Sequence, residues 1–483
     1  MIERTPNFKL IKKMNNKVFL RRMLWLLCLP LLLTACKDSM DEHYEVPDWV
    51  ADNAWEVLSS GEHGNYSIFL QGLEIAGYKQ MLEGKAILTI IAPDDDAFQT
   101  YLNKRGFTSI SDMPVNEVSK LIGYHVLYYS YNKEKLVNFR PTGSTETEEE
   151  QNIKAGLYYK HRTRSSDAPT VETTPTGASV MVYHLERYLP IFSYRYFQTK
   201  GIDAKNNYEA FYPNSTWTGD DGFNVSNASV KEYGIIANNG YIHAVDRVVE
   251  PLETIYTELK NKEKYSTFLD LYDSFGVYVA DDELSKSYAK AYGVDTLYQY
   301  QHGGLPNIAC EWPTSSYLNF TALTALSYSI FAPSNTAINS FFDSFWKIGG
   351  YSSMQEVDAL ALNYFLYQFI YGGSMLFPEE LGDDELKNLA GSSLNINPAA
   401  LNEKTMCVNG ALYGMDEIKE PSTFASVIGP LFQYKSARSF LYALLGSSLF
   451  SSYVSDLSKY IVLVPTAEQF EASGIRTVYS TQG

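Results

Sequence analysis

The sequence predicts an α+β protein in which one arrangement of strands and helices recurs along the chain. Three observations predict this class. A β-branched or aromatic run that ends at a proline and leads into a helix occurs three times. An apolar stripe at helical spacing occurs twice, and so does an Asn-Gly pair within a strand pattern. Because strand and helix signals alternate within recurring units, we expect tandem mixed domains, each with its own core.

The first recurring element is a strand that stops at a proline. The three copies are Leu88–Phe98, Leu326–Ile338 and Tyr460–Phe470. Their prolines are Pro93, Pro333 and Pro465. A proline cannot donate to a strand ladder, so it ends the strand. The residues that follow are Asp94, Ser334 and Thr466. Their side chains can accept a hydrogen bond from the first turn of a helix, so we expect helices to begin there.

The second recurring element is an amphipathic helix. In Val118–Leu127, the residues Leu121, Ile122 and either Tyr124 or His125 fall at helical spacing, which predicts a side that packs on the core. Its counterpart in the second unit is Ala361–Ile370.

The third recurring element is a hairpin. Ala237–Pro251 lines up with Cys407–Ile418, and the pairs Asn239-Gly240 and Asn409-Gly410 occupy the same place in each. An Asn-Gly pair supplies the positive φ of a tight turn, so we expect each pair to form the turn between two strands.

In this order the elements resemble the fasciclin (beta-Ig-H3/fasciclin) domain. The resemblance lies in the strand that ends at a proline, in Tyr124-His125 at a helix end, and in the final Asn-Gly strand that carries His243. It implies tandem fasciclin-like domains, each a wedge of β-sheets packed with helices, with a role in adhesion or binding. The second unit departs from the pattern, with Gln368 in the place of His125 and Tyr413 in the place of His243.

The landmarks predict the domain boundaries. The first fasciclin-like domain covers 52–252 and the second covers 253–433, and a partial repeat follows at 434–483. Within the first domain, residues 139–233 form an insert that is longer than a fasciclin core needs. The partial repeat contains only the first element, and two explanations stay open. Either the reading frame is truncated, or this segment packs as an appendage on the second domain.

The N-terminal residues have the pattern of a lipoprotein signal peptide. Residues 1–22 carry seven basic residues and one acidic residue, and the apolar run Met23–Leu33 follows. This run is too short for a membrane-spanning helix, which needs ~20 residues. Leu33-Thr34-Ala35-Cys36 resembles the bacterial lipobox, which implies cleavage after residue 35 and a lipid on Cys36. The start codon stays open between Met1 and Met14, of which Met14 gives the more usual signal length.

The residues behind the lipid site predict where the protein is displayed. Residues 36–51 are expected to form a tether, and Lys37 to Glu42 resembles the signal that sends lipoproteins to the outer cell face in one phylum of Gram-negative anaerobes. We therefore expect a lipid-anchored, surface-exposed protein of the outer membrane. Loss of residues 1–35 leaves a net charge near −23, which repels phosphate backbones and makes nucleic acid an unsuitable partner.

The sequence contains no motif of catalysis. A Gly-x-Ser-x-Gly elbow, a His-Glu-x-x-His pair, a phosphate-binding glycine loop and a dinucleotide fingerprint are all missing from it. We therefore expect a protein that is not an enzyme and has no cofactor and no metal. His125 and His243 are expected to be hydrogen-bonded within or beside the core. Cys310 and Cys407 either form a disulfide bond or remain separate buried thiols, and both alternatives stay open.

Four acidic clusters could be taken for calcium sites. They are Asp94-Asp95-Asp96, Asp220-Asp221-Gly222, Asp281-Asp282-Glu283 and Asp383-Asp384-Glu385. We interpret them as solvated caps, because carboxylates in a first helical turn are stabilised by the helix dipole without an ion. We expect the last two clusters to begin helices.

Tyrosine is unusually frequent, with 38 tyrosines among 483 residues. Tyrosine gives a large amphipathic contact at low entropic cost, so it can bind a sugar ring or a protein. The other interpretation is that these rings fill an enlarged sheet. If a ligand surface exists, we place it on the insert, at Tyr194, Tyr196, Tyr208, Tyr212 and Trp217.

Two functions are compatible with the resemblance and with the predicted compartment. The first is a surface-displayed adhesion or ligand-binding module without catalysis. The alternative is an accessory of an outer-membrane nutrient-uptake assembly that captures a glycan or another polymer. The expected partners are the membrane, through the N-terminal lipid, and a protein or glycan ligand. The sequence gives no indication of the oligomeric state.

Overall fold

The computed structural model describes residues 52–138, 160–183, 186–310 and 327–475, without 373, 384, 395, 448, 451, 452 and 454–458. The chain divides after Asp52, and every element below belongs to the unit that begins at Asn53. The predicted signal peptide, Cys36 and the tether 36–51 lie outside the described residues. Among the helices that are described, none is both long and apolar enough to span a bilayer.

The first domain is a barrel with helices around it. Its strands are β1 (Leu88–Pro93), β2 (Val126–Tyr128), β3 (Lys160–Ser166), β4 (Thr170–Thr173), β5 (Ser179–Val182), β6 (Glu186–Phe192), β7 (Asn224–Val225), β8 (Ala228–Ala237) and β9 (Gly240–Val245). Its helices are Ala54–Ser59, Ser67–Ile75, Lys79–Glu83, Asp95–Arg105, Val115–Tyr124, Lys133–Val137, Tyr194–Lys200 and Ala204–Phe211, with a 3-10 helix at Ile110–Asp112. The barrel closes in the order β1-β2-β3-β6-β7-β8-β9.

The residues predicted as an insert, 139–233, supply strands to this barrel. Strands β3, β6 and β7 and part of β8 complete it between β2 and β9. Leu189, Ile191 and Val225 are buried in one cluster with Ile91 of β1. The described part of this segment, 160–183 and 186–233, therefore contributes to the core of the domain. In the sequence it resembles an insert, because the recurring motifs lie in β1 and β9 and the strands between them carry none.

The second domain repeats the centre of this arrangement. Its strands are β10 (Gly276–Ala280), β11 (Tyr298–His302), β12 (Tyr328–Pro333), β13 (Ile370–Tyr371), β14 (Leu401–Cys407) and β15 (Gly410–Met415). Its helices are Ile255–Lys260, Ser266–Asp273, Asp282–Tyr288, Asn335–Ser344, Ala359–Tyr367, Ser422–Ala425 and Gly429–Gln433, and 3-10 helices lie at Glu263–Tyr265, Ala289–Tyr292, Met354–Glu356, Pro378–Gly382 and Pro398–Ala400. One sheet has the order β13-β12-β15-β14.

Two of the three predicted junctions from strand to helix are confirmed. β1 and β12 end at their prolines, and a helix begins two residues later in each case. The Asp94 carboxylate accepts the N–H of Ala97 at 2.9 Å, and the Ser334 hydroxyl accepts the N–H of Ala337 at 3.4 Å. These side chains satisfy donors that have no partner within the first turn of a helix.

The strand pairing within each domain shows which residue of the second domain occupies the position of His243. β1 is parallel to β9 with Ile91 opposite His243, and β12 is parallel to β15 with Phe331 opposite Tyr413. Tyr413 therefore does take the place of His243.

The prediction for Gln368 is wrong by one residue. The N–H of Ile91 donates to the carbonyl oxygen of His125, and the N–H of Phe331 donates in the same way to that of Phe369. Phe369 is therefore the residue equivalent to His125. Each of these residues lies ten residues after the first residue of the helix before it, Val115 or Ala359, so Gln368 stands one residue too early in the chain.

The two hairpins form where they are predicted, and both glycines also allow a neighbouring strand to approach closely. β8 and β9 are joined by Asn238-Asn239, and neither asparagine has a positive φ. A Cβ on Gly240 would lie 1.9 Å from the carbonyl oxygen of Leu88, and one on Gly410 would lie 1.9 Å from that of Tyr328. At Gly240 glycine is therefore required by the close approach of β1. At Gly410 it is required both by the close approach of β12 and by a φ of +143°, as predicted for the Asn-Gly pair.

The asparagine of each pair fastens the first helix of its domain. Asn239 Oδ1 accepts the N–H of Ala54 at 3.0 Å, and Asn409 Oδ1 accepts the N–H of Ile255 at 2.9 Å. Both side chains also donate through Nδ2 to backbone carbonyl oxygens. Because both asparagines are buried, these bonds replace those that water would make.

In the partial repeat, the helix forms and the strand does not. The segment begins with a 3-10 turn at Lys435–Ala437 and the helix Arg438–Leu445. Further along, the helix Ala467–Ala472 begins at its predicted cap, Thr466. Residues 460–464 belong to none of the described strands. Phe470 lies 6.5 Å from Phe440 between ring centroids, so the segment packs as an appendage on the preceding helix.

The two domains share a further sheet, which has the order β10-β11-β5-β4. β4 and β5 come from the first domain, whereas β10 and β11 come from the second. β5 and β11 run parallel, and the N–H of Tyr183 donates to the carbonyl oxygen of Tyr298 at 2.9 Å. Backbone hydrogen bonds therefore cross the domain boundary and fix the orientation of the two domains.

Candidate functional site

The structure places most of the predicted aromatic surface in the interior. Tyr196, Tyr208 and Trp217 are 5%, 1% and 9% exposed. Tyr212 is half-buried, and Tyr194 is exposed at 41%. The prediction of a ligand surface is therefore wrong for the three buried rings, since they pack in a core that extends into the second domain.

Tyr196, Phe197 and Phe211 of the segment 139–233 join the two domains. Phe377 of the second domain lies 4.9 Å from Phe197, 6.0 Å from Tyr196 and 5.7 Å from Phe211, measured between ring centroids. All three pairs meet edge to face, an arrangement that aromatic quadrupoles favour. A sequence rich in tyrosine does not reveal this role, because the same rings suit a ligand surface or an interdomain core.

His125 and His243 are buried and hydrogen-bonded, as predicted. His125 Nε2 accepts the N–H of Val249 at 3.1 Å, and its Nδ1 lies 3.0 Å from the carbonyl oxygen of Leu121. His243 Nε2 lies 3.0 Å from the carbonyl oxygen of Tyr131. Burial lowers the pKa of each imidazole to about 4, so both are neutral at pH 7. In the part of the chain that the structure describes, no three His, Cys, Asp or Glu side chains are arranged to hold a metal.

The acidic clusters have ordinary structural roles at the positions that the structure describes. Asp94 and Asp281 cap helices. The Asp220 carboxylate accepts the indole N–H of Trp217 at 2.8 Å. Asp383 differs from the prediction, because it follows a 3-10 helix and accepts the N–H of Glu385 in a turn, at 2.9 Å.

A cavity of about 230 Å³ lies between the two domains. The first domain contributes Asp167 and residues of β4, β5 and β6 to its wall. The second domain contributes residues of the helix Ile255–Lys260 and of β11, together with Ala309 and Cys310. Cys310 and Cys407 are not joined by a disulfide bond. Sequence reasoning missed this site because its residues come from separate segments that share no motif.

A partly buried ion-pair network forms one side of the cavity, which it lines with Asp167 and Arg187. The Arg187 guanidinium contacts the Asp167 carboxylate, and it also donates to Glu253 at 2.9 Å and to the carbonyl oxygen of Leu252 at 2.8 Å. Lys120 lies 2.6 Å from Asp167. Burial by itself raises the pKa of Asp167, but the charges of Arg187 and Lys120 hold it below its ordinary value. These charges are therefore paired with one another within the wall.

Tyrosines oriented by one carboxylate form the opposite side. The hydroxyl groups of Tyr300 and Tyr256 donate to Asp273 at 2.9 and 3.2 Å, and His302 Nε2 lies 3.1 Å from the same carboxylate. The rings of Tyr256 and Tyr300 are 5.6 Å apart. Burial, followed by the charge of Asp273, raises the pKa of both phenols, so both are neutral at physiological pH.

Gln299 lines the cavity between these two sides. It is 3% exposed, and its Oε1 accepts a hydrogen bond from Gln301 Nε2 at 2.9 Å. Its Nε2 has no hydrogen-bond partner among the described residues. A buried amide donor without an acceptor costs about 1–3 kcal/mol, so a ligand that supplies an acceptor would gain that free energy.

The comparisons with known proteins agree with the fold of the first domain. The family model of the fasciclin domain matches residues 64–190, so the chain contains a fasciclin-like domain there. A solved FAS1 domain pair from the insect cell adhesion molecule fasciclin I is 11% identical over 74% of this chain and 98% of that chain. The TM-score of that match is 0.22. No curated protein matches the sequence.

Proposed function

We propose that the protein is a non-catalytic adhesion or ligand-binding module that a lipid on Cys36 holds at the outer face of the outer membrane. The observation that carries the binding role is the cavity between two domains that a shared sheet holds together. Ligand sites occur preferentially at such domain interfaces. The fasciclin-like domain at residues 64–190 supports an adhesion-type role.

The proposed anchor follows from the charge and from the lipobox resemblance. Without residues 1–35 the chain has a net charge near −23 and no electrostatic attraction to anionic lipid. A lipid on Cys36 would therefore have to supply the attachment. Each buried CH₂ contributes about 0.8 kcal/mol, so two acyl chains hold a water-soluble body on a membrane.

Replacement of the lipidated thiol tests the anchor. We expect Cys36→Ser to abolish incorporation of labelled palmitate and to leave the precursor uncleaved. Cys28→Ser is the matched control, since Cys28 lies within the predicted signal peptide and should have no effect. Protease added to intact cells should release the domains. A protein that is digested only after the outer membrane has been breached would contradict surface display.

A binding screen tests the module itself. The full chain should retain a ligand on an array that contains both glycans and proteins, or attach cells to a coated surface. The alternative function, capture of a glycan for a nutrient-uptake assembly, is favoured by the tyrosines Tyr183, Tyr256 and Tyr300 in the cavity wall. Retention of glycans but not of proteins or cells would support that alternative. A chain that binds nothing in either assay would contradict the proposed function.

A further inference from the structure

We propose that the cavity between the domains binds one neutral sugar residue, with Gln299 as its hydrogen-bond donor. The proposal rests on the binding function above and names the ligand class of that site. The saccharide is either free or the accessible end residue of a longer chain.

The charges of the wall favour a neutral ligand. Four charged residues line the cavity, the acidic Asp167 and Glu172 and the basic Arg187 and Lys260, so the formal charges balance. Glu172 accepts the hydroxyl of Tyr278 at 2.9 Å, and Arg187 is held by Asp167 and other acceptors. An ionic ligand would have to compete with these bonds. A polyhydroxyl ligand can instead share the remaining acceptor positions of the carboxylates.

The aromatic residues of the wall supply faces for a sugar ring. Tyr183, Tyr256 and Tyr300 are half-buried where they line the cavity. Tyr256 and Tyr300 are held through their hydroxyl groups by Asp273, and Tyr183 stacks on Tyr288 with 5.2 Å between centroids. Their rotamers are therefore fixed before a ligand arrives, so little side-chain entropy is lost on binding.

The polar groups of the wall include both a hydrogen-bond donor and hydrogen-bond acceptors, and sugar hydroxyls can pair with both. The Nε2 of Gln299 donates, whereas the neutral hydroxyl groups of Tyr256 and Tyr300 already donate to Asp273 and therefore offer only lone pairs. A sugar hydroxyl both donates and accepts, so one ligand can satisfy both kinds of group. A hydrocarbon of the same size would leave the Gln299 amide without an acceptor.

The volume of the cavity limits the size of the ligand. The cavity of about 230 Å³ is smaller than the roughly 300–1,000 Å³ of sites for drug-sized ligands. It has room for a single ring and not for an extended oligosaccharide. With few hydrogen bonds and one ring contact, we expect a dissociation constant of about 1 mM.

The experiment is a titration of the full chain with single sugars. The protein is purified in a detergent without a sugar headgroup, and saturation-transfer NMR is recorded with glucose, galactose, mannose, fucose and N-acetylglucosamine. We expect at least one of them to bind, and Gln299→Ala to weaken that binding by about tenfold. Ala309→Trp fills the cavity without removing a hydrogen bond and should abolish the binding.

Tyr194→Ala is the control, because Tyr194 is the exposed ring of the sequence-predicted surface and lies outside the cavity. It should bind sugar like the unaltered chain. Thermal unfolding of each variant shows whether it is folded, and Ala309→Trp keeps the test valid if Gln299→Ala does not fold.

The outcomes separate the two proposals. If none of the five sugars binds while the array or the cell assay detects another ligand, the sugar proposal fails and the binding function stands. If a sugar binds equally to the unaltered chain and to Ala309→Trp, the cavity is not the site. If no ligand of any kind is retained, the proposed function itself fails.

Discussion

At the scale of single residues, the two domains fill one core position in different ways. His125 of the first domain meets Phe69 edge to face, with 5.9 Å between centroids. Its equivalent, Phe369, meets Phe268 in the same manner at 6.1 Å. The aromatic contact is therefore common to both domains, whereas the imidazole adds hydrogen bonds and a group that can be protonated.

This difference predicts a dependence of stability on pH. Burial lowers the pKa of His125 to about 4, below the ordinary value of 6.5, so the unfolded chain binds the proton more tightly. Above pH 6.5 the neutral imidazole of His125 makes its full contribution to the free energy of unfolding. This contribution is lost as the pH falls towards 4. We expect His125→Phe to reduce the loss of unfolding free energy between pH 7 and pH 4.5 by roughly 2 kcal/mol.

Urea denaturation at the two pH values measures this effect. At pH 7 the variant should be less stable by about 1–3 kcal/mol, because the N–H of Val249 loses its acceptor. The reciprocal variant Phe369→His should steepen the dependence on pH. An unchanged dependence in His125→Phe would show that other groups, such as the buried His161, dominate the acid transition.

At the scale of elements, the strand that ends at a proline forms only where partner strands flank it. In β1 and β12 every residue is buried between an antiparallel and a parallel neighbour. In the third copy, Ile461 and Leu463 are 93% and 84% exposed. The local sequence is equally favourable in all three copies, so the pairing strands decide whether it becomes a buried strand.

A matched pair of substitutions tests this interpretation. Ile91 and Leu463 occupy the same place in the first and third copies, two residues before the proline. We expect Ile91→Ala to lower the free energy of unfolding by roughly 2–5 kcal/mol, as at other buried aliphatic sites. Leu463→Ala should change it by less than about 0.5 kcal/mol. Equal losses in chemical denaturation would show that Leu463 is buried in solution.

The same principle explains which elements can be predicted from the sequence. Prolines and Asn-Gly pairs mark β1, β9, β12 and β15, and these strands form where they are predicted. β3 carries no such mark, because Lys160–Ser166 is polar throughout and reads as a loop. Lys160 is nevertheless buried, since its Nζ donates to the carbonyl oxygen of Val408 at 3.1 Å in the other domain. Only tertiary partners make such a strand possible.

The candidate site is hidden from the sequence for a related reason. Its walls come from residues between Asp167 and Cys310 that no spacing connects. Gln299 lies in a strand that alternates tyrosine and glutamine, which gives no sign that one amide is buried without an acceptor. The predicted aromatic surface rests on the many aromatic residues of a segment that resembles an insert, and composition cannot separate rings that face a ligand from rings that face another domain.

At the scale of the whole molecule, three kinds of contact join the domains into one body. The shared sheet supplies backbone hydrogen bonds, and the cluster around Phe377 supplies buried aromatic area. Polar contacts complete the interface, with Lys200 at 2.9 Å from Glu380 and Asn207 Nδ2 at 2.6 Å from Glu379. Domains with an interface this continuous are expected to unfold together.

Removal of the central ring of this interface should uncouple the two domains. Phe377 is fully buried and contacts rings of the first domain, so Phe377→Ala should cost about 3–5 kcal/mol, most of it from the interface. We expect calorimetry to show one transition for the unaltered chain and two for the variant. Phe424→Ala is the control, because Phe424 packs on Phe345 within the second domain, with 5.1 Å between centroids. It should lower the temperature of a single transition without splitting it. A single transition in Phe377→Ala would mean that the shared sheet alone couples the domains, and two transitions in the unaltered chain would mean that they are not coupled.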